Sequence, residues 1–180
     1  MSQSQKMKKA LEKNVVSRLR DRGFDGKYPH YKKEYPDRIE LVSFMTNKWG
    51  NSFTVEVSAV FFDESKRDSN FCGSSFEDIH NATVWDTNIR YRLKGNYDGW
   101  FYYSDLYRQR IGFNTFYNAV SEKNAVTYVP QKGEKLTQRA DEGIYEKICV
   151  EVNCQMKKAF SWLEAFYKNN KLKMMILERF

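Results

Sequence analysis

The residue types that most often carry out chemistry are scarce in this chain. Its 180 residues include two histidines and three cysteines. His30 and His80 lie far apart, and no cysteine stands at a ligand spacing from either, so a zinc site is not expected. Cys72, Cys149 and Cys154 make an odd set with no Cys-x-x-Cys pair, which excludes a disulfide framework and points to reduced thiols. No phosphate-binding glycine loop, dinucleotide fingerprint, nucleophile elbow or H-E-x-x-H helix is present. Cys72 beside Gly73, served by His80 or His30, is the most that a nucleophilic reading can assemble. No apolar run approaches the roughly 18 residues of a membrane span. The start, MSQSQKMKKALEKNVV, lacks the apolar core of a signal peptide. A cytoplasmic protein with no metal, no cofactor and no membrane contact is expected.

What is abundant is aromatic and basic. Hydrophobic residues are 41% and aromatics 16%, and the formal net charge is +7. That composition belongs to globular chains rather than disordered ones. The length fits a single domain, 1–180. Residues 1–40 hold 11 Lys+Arg against 6 Asp+Glu, so the basic excess leans toward the amino terminus, which permits acidic partners without requiring them.

The first element reads as a helix from about Ser4 to Arg22. Met7, Leu11, Val15 and Leu19 form one stripe, with Lys6, Lys9, Lys13 and Arg20 opposite and Gly23 as the stop. Tyr28 to Tyr35 reads as a short edge strand. Residues 39–46 and 53–62 alternate about the turn formers Asn47 to Asn51 and predict a β-hairpin. Asp63 to Asp78 reads as an excursion. Asn88 to Leu93 and Trp100 to Tyr103 read as a second hairpin. From about Asp141 to Lys168, Ile144, Ile148, Val152, Met156, Ala159, Leu163 and Phe166 recur at helical spacing. The fold class is α+β: a mostly antiparallel, curved sheet of about four to six strands. The N-terminal helix and the long C-terminal helix are expected to cover one face.

The stretch NIRYRLKGNYDGWFYYSDLYR, from Asn88, carries the functional question. Strand geometry puts Arg90 and Arg92 on one face and Ile89, Tyr91 and Leu93 on the other. The ordinary account stacks the arginines on rings, with Asp86, Asp98 or Asp105 as counter-charges. A nucleic-acid account makes the rings a stacking platform, but useful affinity needs on the order of six phosphate contacts. A third account is a pocket for a small acid or an acidic protein surface. The leading expectation is a non-enzymatic binding or accessory protein for a protein or small acidic ligand. Its surface would combine Trp49, Arg90, Arg92, Trp100 and Tyr102. The first alternative is a nucleic-acid-binding protein that adds Lys6, Lys9, Lys13 and Arg20; the second is an enzyme with an unrecognised site.

The order of signals also carries a resemblance. R-D-R-G-F (Arg20 to Phe24), I-E-L-V-S-F (Ile39 to Phe44), K-W-G-N-S-F-T-V-E-V (Lys48 to Val57) and R-Y-R-L (Arg90 to Leu93), with Trp100 downstream, follow one another. The chain resembles a family of small bacterial proteins catalogued as a domain of unknown function. The resemblance implies a cytoplasmic bacterial α+β domain and supplies no catalytic residue. Immunity or accessory proteins of similar build, each binding one partner, are an analogy at the level of fold alone.

Overall fold

The computed structural model describes residues 1–48, 50, 52–63, 76–95, 99–103, 116–118, 126–128 and 143–177. The chain opens with helix α1 (Gln3–Leu11), passes through a π-helical turn (Glu12–Val16) and continues as α2 (Ser17–Asp21). A capping box starts α1: the Gln5 N–H donates to Ser2 Oγ at 3.2 Å, and the Ser2 N–H donates to Gln5 Oε1 at 2.8 Å, satisfying two end donors at once. The π-turn has a reason in the sequence. Met7, Leu11, Val15 and Leu19 recur every four residues, and in an uninterrupted α-helix such a stripe drifts by about 40° per step. A π-turn holds more residues and takes back part of that drift. All four side chains are at most 2% exposed. Gly23, at φ 87°, ends the helix. The Gly23 N–H donates to the Arg20 carbonyl at 2.8 Å and the Phe24 N–H to Leu19 at 3.0 Å, the paired bonds of a Schellman stop that favours glycine.

Six strands form one antiparallel sheet in the order β1–β2–β3–β4–β5, with β6 also pairing to β4. They are β1 (Asp25–Lys27), β2 (His30–Glu34), β3 (Arg38–Thr46), β4 (Ser52–Phe61), β5 (Tyr91–Arg92) and β6 (Phe101–Tyr102). β7 (Phe116–Asn118) and β8 (Val126–Tyr128) form a separate antiparallel pair. Helix α3 (Ile144–Leu177) closes the described chain. Its stripe of Ile144, Ile148, Val152, Met156, Ala159 and Leu163 is buried as the periodicity predicts.

The expected hairpin across Asn47–Asn51 is present as β3 and β4. The second expected hairpin is not: β5 and β6 do not pair with each other. β5 pairs Arg92 with Glu56, and β6 pairs Phe101 with Phe53. Both therefore bond to β4 in the same antiparallel sense. Between these pairings β4 advances by Thr54 and Val55, while the other strand detours through Leu93 to Trp100. Gly95 closes the neck of that detour, where a Cβ would overlap the backbone carbonyl of Trp100. Every residue of β4 is buried, including Ser52, Thr54, Glu56 and Ser58. The alternation of polar and apolar residues thus does not mark a solvent face, as it does in most antiparallel sheets.

The chain divides into two compact units. One consists of Met1–Arg18, Met45–Thr54 and Lys94–Asn153. Met7, Leu11 and Val15 are buried in it, and it holds an aromatic series: Phe53 stacks on Phe101 with centroids 5.2 Å apart, and Tyr103 lies 6.1 Å from Phe53 and 6.4 Å from Tyr145. The Tyr103 hydroxyl donates to the Gly50 carbonyl at 2.8 Å, so this buried phenol meets its polar demand.

The other unit consists of Leu19–Phe44, Val55–Leu93 and Cys154–Phe180. Ile39, Leu41 and Val60 pack with Ile79, Ala82 and Val84 from two 3-10 turns, Phe76–Asn81 and Val84–Asp86. These turns, rather than a helix, cover that face of the strands. On α3, Phe160 meets Phe24, and Phe166 and Tyr167 meet Phe61. Arg38 lies between the rings of Tyr35 and Tyr167, 3.9 and 4.2 Å from their centroids. No helix among the described residues is long and apolar enough to cross a membrane.

Candidate functional site

Three sets of side chains bear on function, and the first surrounds Glu56. β4 places this carboxylate at a position 3% exposed, in a strand otherwise rich in Phe, Val and Ala. A buried carboxylate is costly unless it is paired. Cross-strand pairing sets Arg92 opposite Glu56. Arg92 Nε donates to Oε1 at 2.7 Å, and its Nη2 lies 2.6 Å from the same oxygen; Arg90 Nη1 reaches Oε2 at 3.4 Å. Arg90 and Arg92 thus share a face, as strand geometry predicts. Their counter-ion among the described residues is Glu56; of the expected aspartates, Asp86 accepts from Thr83 instead, and Asp98 and Asp105 lie outside the described residues. Tyr91, turned the other way, lies 5.7 Å from Trp162, which stacks on Phe166 at 5.2 Å. Trp162 and Phe166 belong to this aromatic surface, and a half-buried Trp on a helical apolar stripe was the available signal for it.

The remaining sheet candidates are placed elsewhere. Tyr102 pairs with Ser52 and is half-buried, as is Trp100. Trp49 lies outside the described residues.

The second set lies on α1. Lys6, Lys9 and Lys13 are three and four residues apart and share one side of the helix, while Met7 and Leu11 are buried on another. Together with Met1, Ala10 and Asn14, and with Tyr145 and Glu146 of α3, they line an open groove of ≈ 350 Å³. Lys8 is within 3.9 Å of Glu12. The ammonium groups of Lys6, Lys9 and Lys13 have no ion pair or hydrogen bond among the described residues. Arg20 does not share this freedom: it donates to Asp25 Oδ1 at 3.4 Å and to the Gly26 carbonyl at 3.2 Å.

The floor of the groove is fixed through the π-turn. Asn153 Nδ2 of α3 donates to the Asn14 carbonyl at 2.9 Å, and Asn14 Nδ2 donates to the Ala10 carbonyl at 3.0 Å. Nearby, burial pushes the Cys149 thiol up to about 12, the Glu146 carboxylate adds to the rise, and Asn14 opposes it. This thiol stays protonated at neutral pH and is no nucleophile. The signal for the groove was the spacing of the three lysines; its other wall comes from residues far along the chain.

The third set would be catalytic, and its described members do not assemble into an accessible site. His30 Nδ1 lies 2.9 Å from Ser43 Oγ, with Asp86 near enough to act on the imidazole. The arrangement has the residue types of a hydrolase triad. However, Ser43 is 2% exposed and is the cross-strand partner of His30. Asp86 Oδ2 already accepts from the Thr83 N–H and hydroxyl, each at 2.8 Å. Burial lowers the His30 pKa from its ordinary value, and Asp86 partly opposes this. Trp85 meets the imidazole edge-on at 4.5 Å. His80 approaches Glu34 at 3.7 Å, while Lys32 donates to Glu34 and to the His80 carbonyl. Cys72 lies outside the described residues. Among the described residues no three His, Cys, Asp or Glu side chains gather as metal ligands would.

Against known families, the sequence model described as Domain of unknown function (DUF4304) matches residues 15–165. The chain belongs to the DUF4304 family. The DUF4304 segment includes Glu56, Arg90, Arg92, Trp100, Tyr102, Tyr145 and Glu146; Lys6, Lys9 and Lys13 precede it. No curated protein and no solved structure matches the chain.

Proposed function

We propose that this DUF4304 chain is a non-enzymatic binding protein that holds an anionic partner on the lysine groove of α1 and α3. One observation carries the reading: Lys6, Lys9 and Lys13 converge on one concavity, none of them ion-paired among the described residues, and a single carboxylate, Glu146, shares the lining with them. Unpaired like charges side by side repel, and an anionic ligand relieves that repulsion while gaining contact energy. The sheet arginines have a different task, since both are committed to Glu56. The sheet-edge surface is the second reading. Its support is that two half-exposed guanidiniums share one carboxylate, leaving one positive charge over. A reducing, cytoplasmic setting suits Cys149 and Cys154, both free.

Retention on immobilised heparin tests the groove. Elution that shifts to markedly lower salt in the Lys6→Gln/Lys9→Gln/Lys13→Gln variant, with Arg90→Gln little changed, supports the reading. Equal elution of the wild type and the triple variant overturns it.

A further inference from the structure

The lining of the groove narrows the chemistry of its ligand, on the premise that the groove binds anions at all. We propose that its occupant is an acidic protein segment bearing apolar side chains, rather than a nucleic-acid strand. Charge count is the first argument. Lys6 to Lys13 spans about 10 Å of helix, room for the two or three carboxylates that recur along one side of a peptide helix. Productive nucleic-acid binding draws on about six or more phosphates. The second argument is Glu146, a carboxylate in the lining itself. A phosphodiester strand carries a charge at every unit and would have to set one against it. A peptide can present an amide or apolar residue there.

The third argument is that the groove lining, among the described residues, presents no exposed ring as a stacking platform. Single strands gain much of their affinity by laying bases on exposed rings. Tyr145, the aromatic residue of this lining, is 8% exposed and is already packed near Tyr103. What the lining offers instead is the apolar side chain of Met1, 69% exposed; outside the lining, one turn beyond Glu146 on α3, Val150 is 70% exposed. Lysines along α1 and an exposed aliphatic side chain on α3 complement an amphipathic acidic segment, whose affinity comes from apolar anchors and whose orientation comes from charge.

Fluorescence anisotropy on the full chain tests this. The probes are a fluorescein-labelled peptide of about 14 residues with Glu and Leu in helical register, its Gln-for-Glu counterpart, and an oligothymidine of equal charge. The acidic peptide is expected to bind most tightly. Lys9→Glu should weaken it about ten-fold and Val150→Asp about five-fold, with circular dichroism melts confirming that both variants fold. Tighter binding of oligothymidine overturns the peptide assignment and leaves the anion groove standing. Binding of neither probe overturns both. Peptide affinity unmoved by Lys9→Glu, or equal for the Gln peptide, also overturns the assignment.

Discussion

Among the described residues, two clusters of positive charge are used in opposite ways. On the sheet, Arg90 and Arg92 close on a carboxylate that β4 has taken out of water. On α1, Lys6, Lys9 and Lys13 stand over a groove without partners among the described residues. The difference teaches that a cationic cluster read from sequence has no assigned role until its anion is found. Arginine, planar and able to donate twice, suits the buried pair; lysine, a point charge on a flexible stem, suits an exchangeable surface.

The largest expected effect breaks the sheet half of this contrast. Arg92→Glu sets a second carboxylate against buried Glu56 and should cost about 4 kcal/mol in urea denaturation. Loss of a partner in this variant would then report unfolding rather than a missing contact. Stability within error of wild type would show that Glu56 does not depend on its arginines. Next comes the detour between β5 and β6. Gly95→Ala places a methyl group against the Trp100 backbone, and should lower stability by about 2 kcal/mol as overpacking does; an unchanged midpoint would mean that the neck is not closed there.

A smaller effect concerns His30. Because burial lowers its folded pKa, the unfolded chain binds more protons than the folded one just below the ordinary value of 6.5. The His30 contribution is therefore fully present above that pH and is lost as pH falls toward the depressed folded value. Stability measured from pH 7.5 to 5 should decline less steeply in His30→Gln than in wild type. Identical slopes would remove the buried-imidazole account.

How much of this was legible in the residues depends on the range of each signal. The β3–β4 hairpin, the Gly23 stop and the α3 stripe are local, and they read directly. The four-residue period of Met7, Leu11, Val15 and Leu19 reads as one continuous helix, and the π-turn at Glu12–Val16 was not read from it, because an ordinary apolar face is wide enough to hold that stripe. Two short runs near Gly95 do not say whether they pair with each other or with a third strand, and here both pair with β4. Glu56 was visible as a lone carboxylate in an apolar strand, but its partners come from 34 and 36 residues away. The lysines were legible as a helix face. Their groove was not, because Tyr145 and Glu146 are supplied by the far end of the chain.

The smallest expected stability change tests the central contrast most directly. Urea denaturation of Lys6→Gln/Lys9→Gln/Lys13→Gln should give a stability within about 0.5 kcal/mol of wild type, because exposed charges without partners hold nothing together. The same protein should lose its salt-sensitive retention on heparin. A triple variant that unfolds readily, or that keeps full retention, would contradict the division of these cations into one set for folding and one for binding.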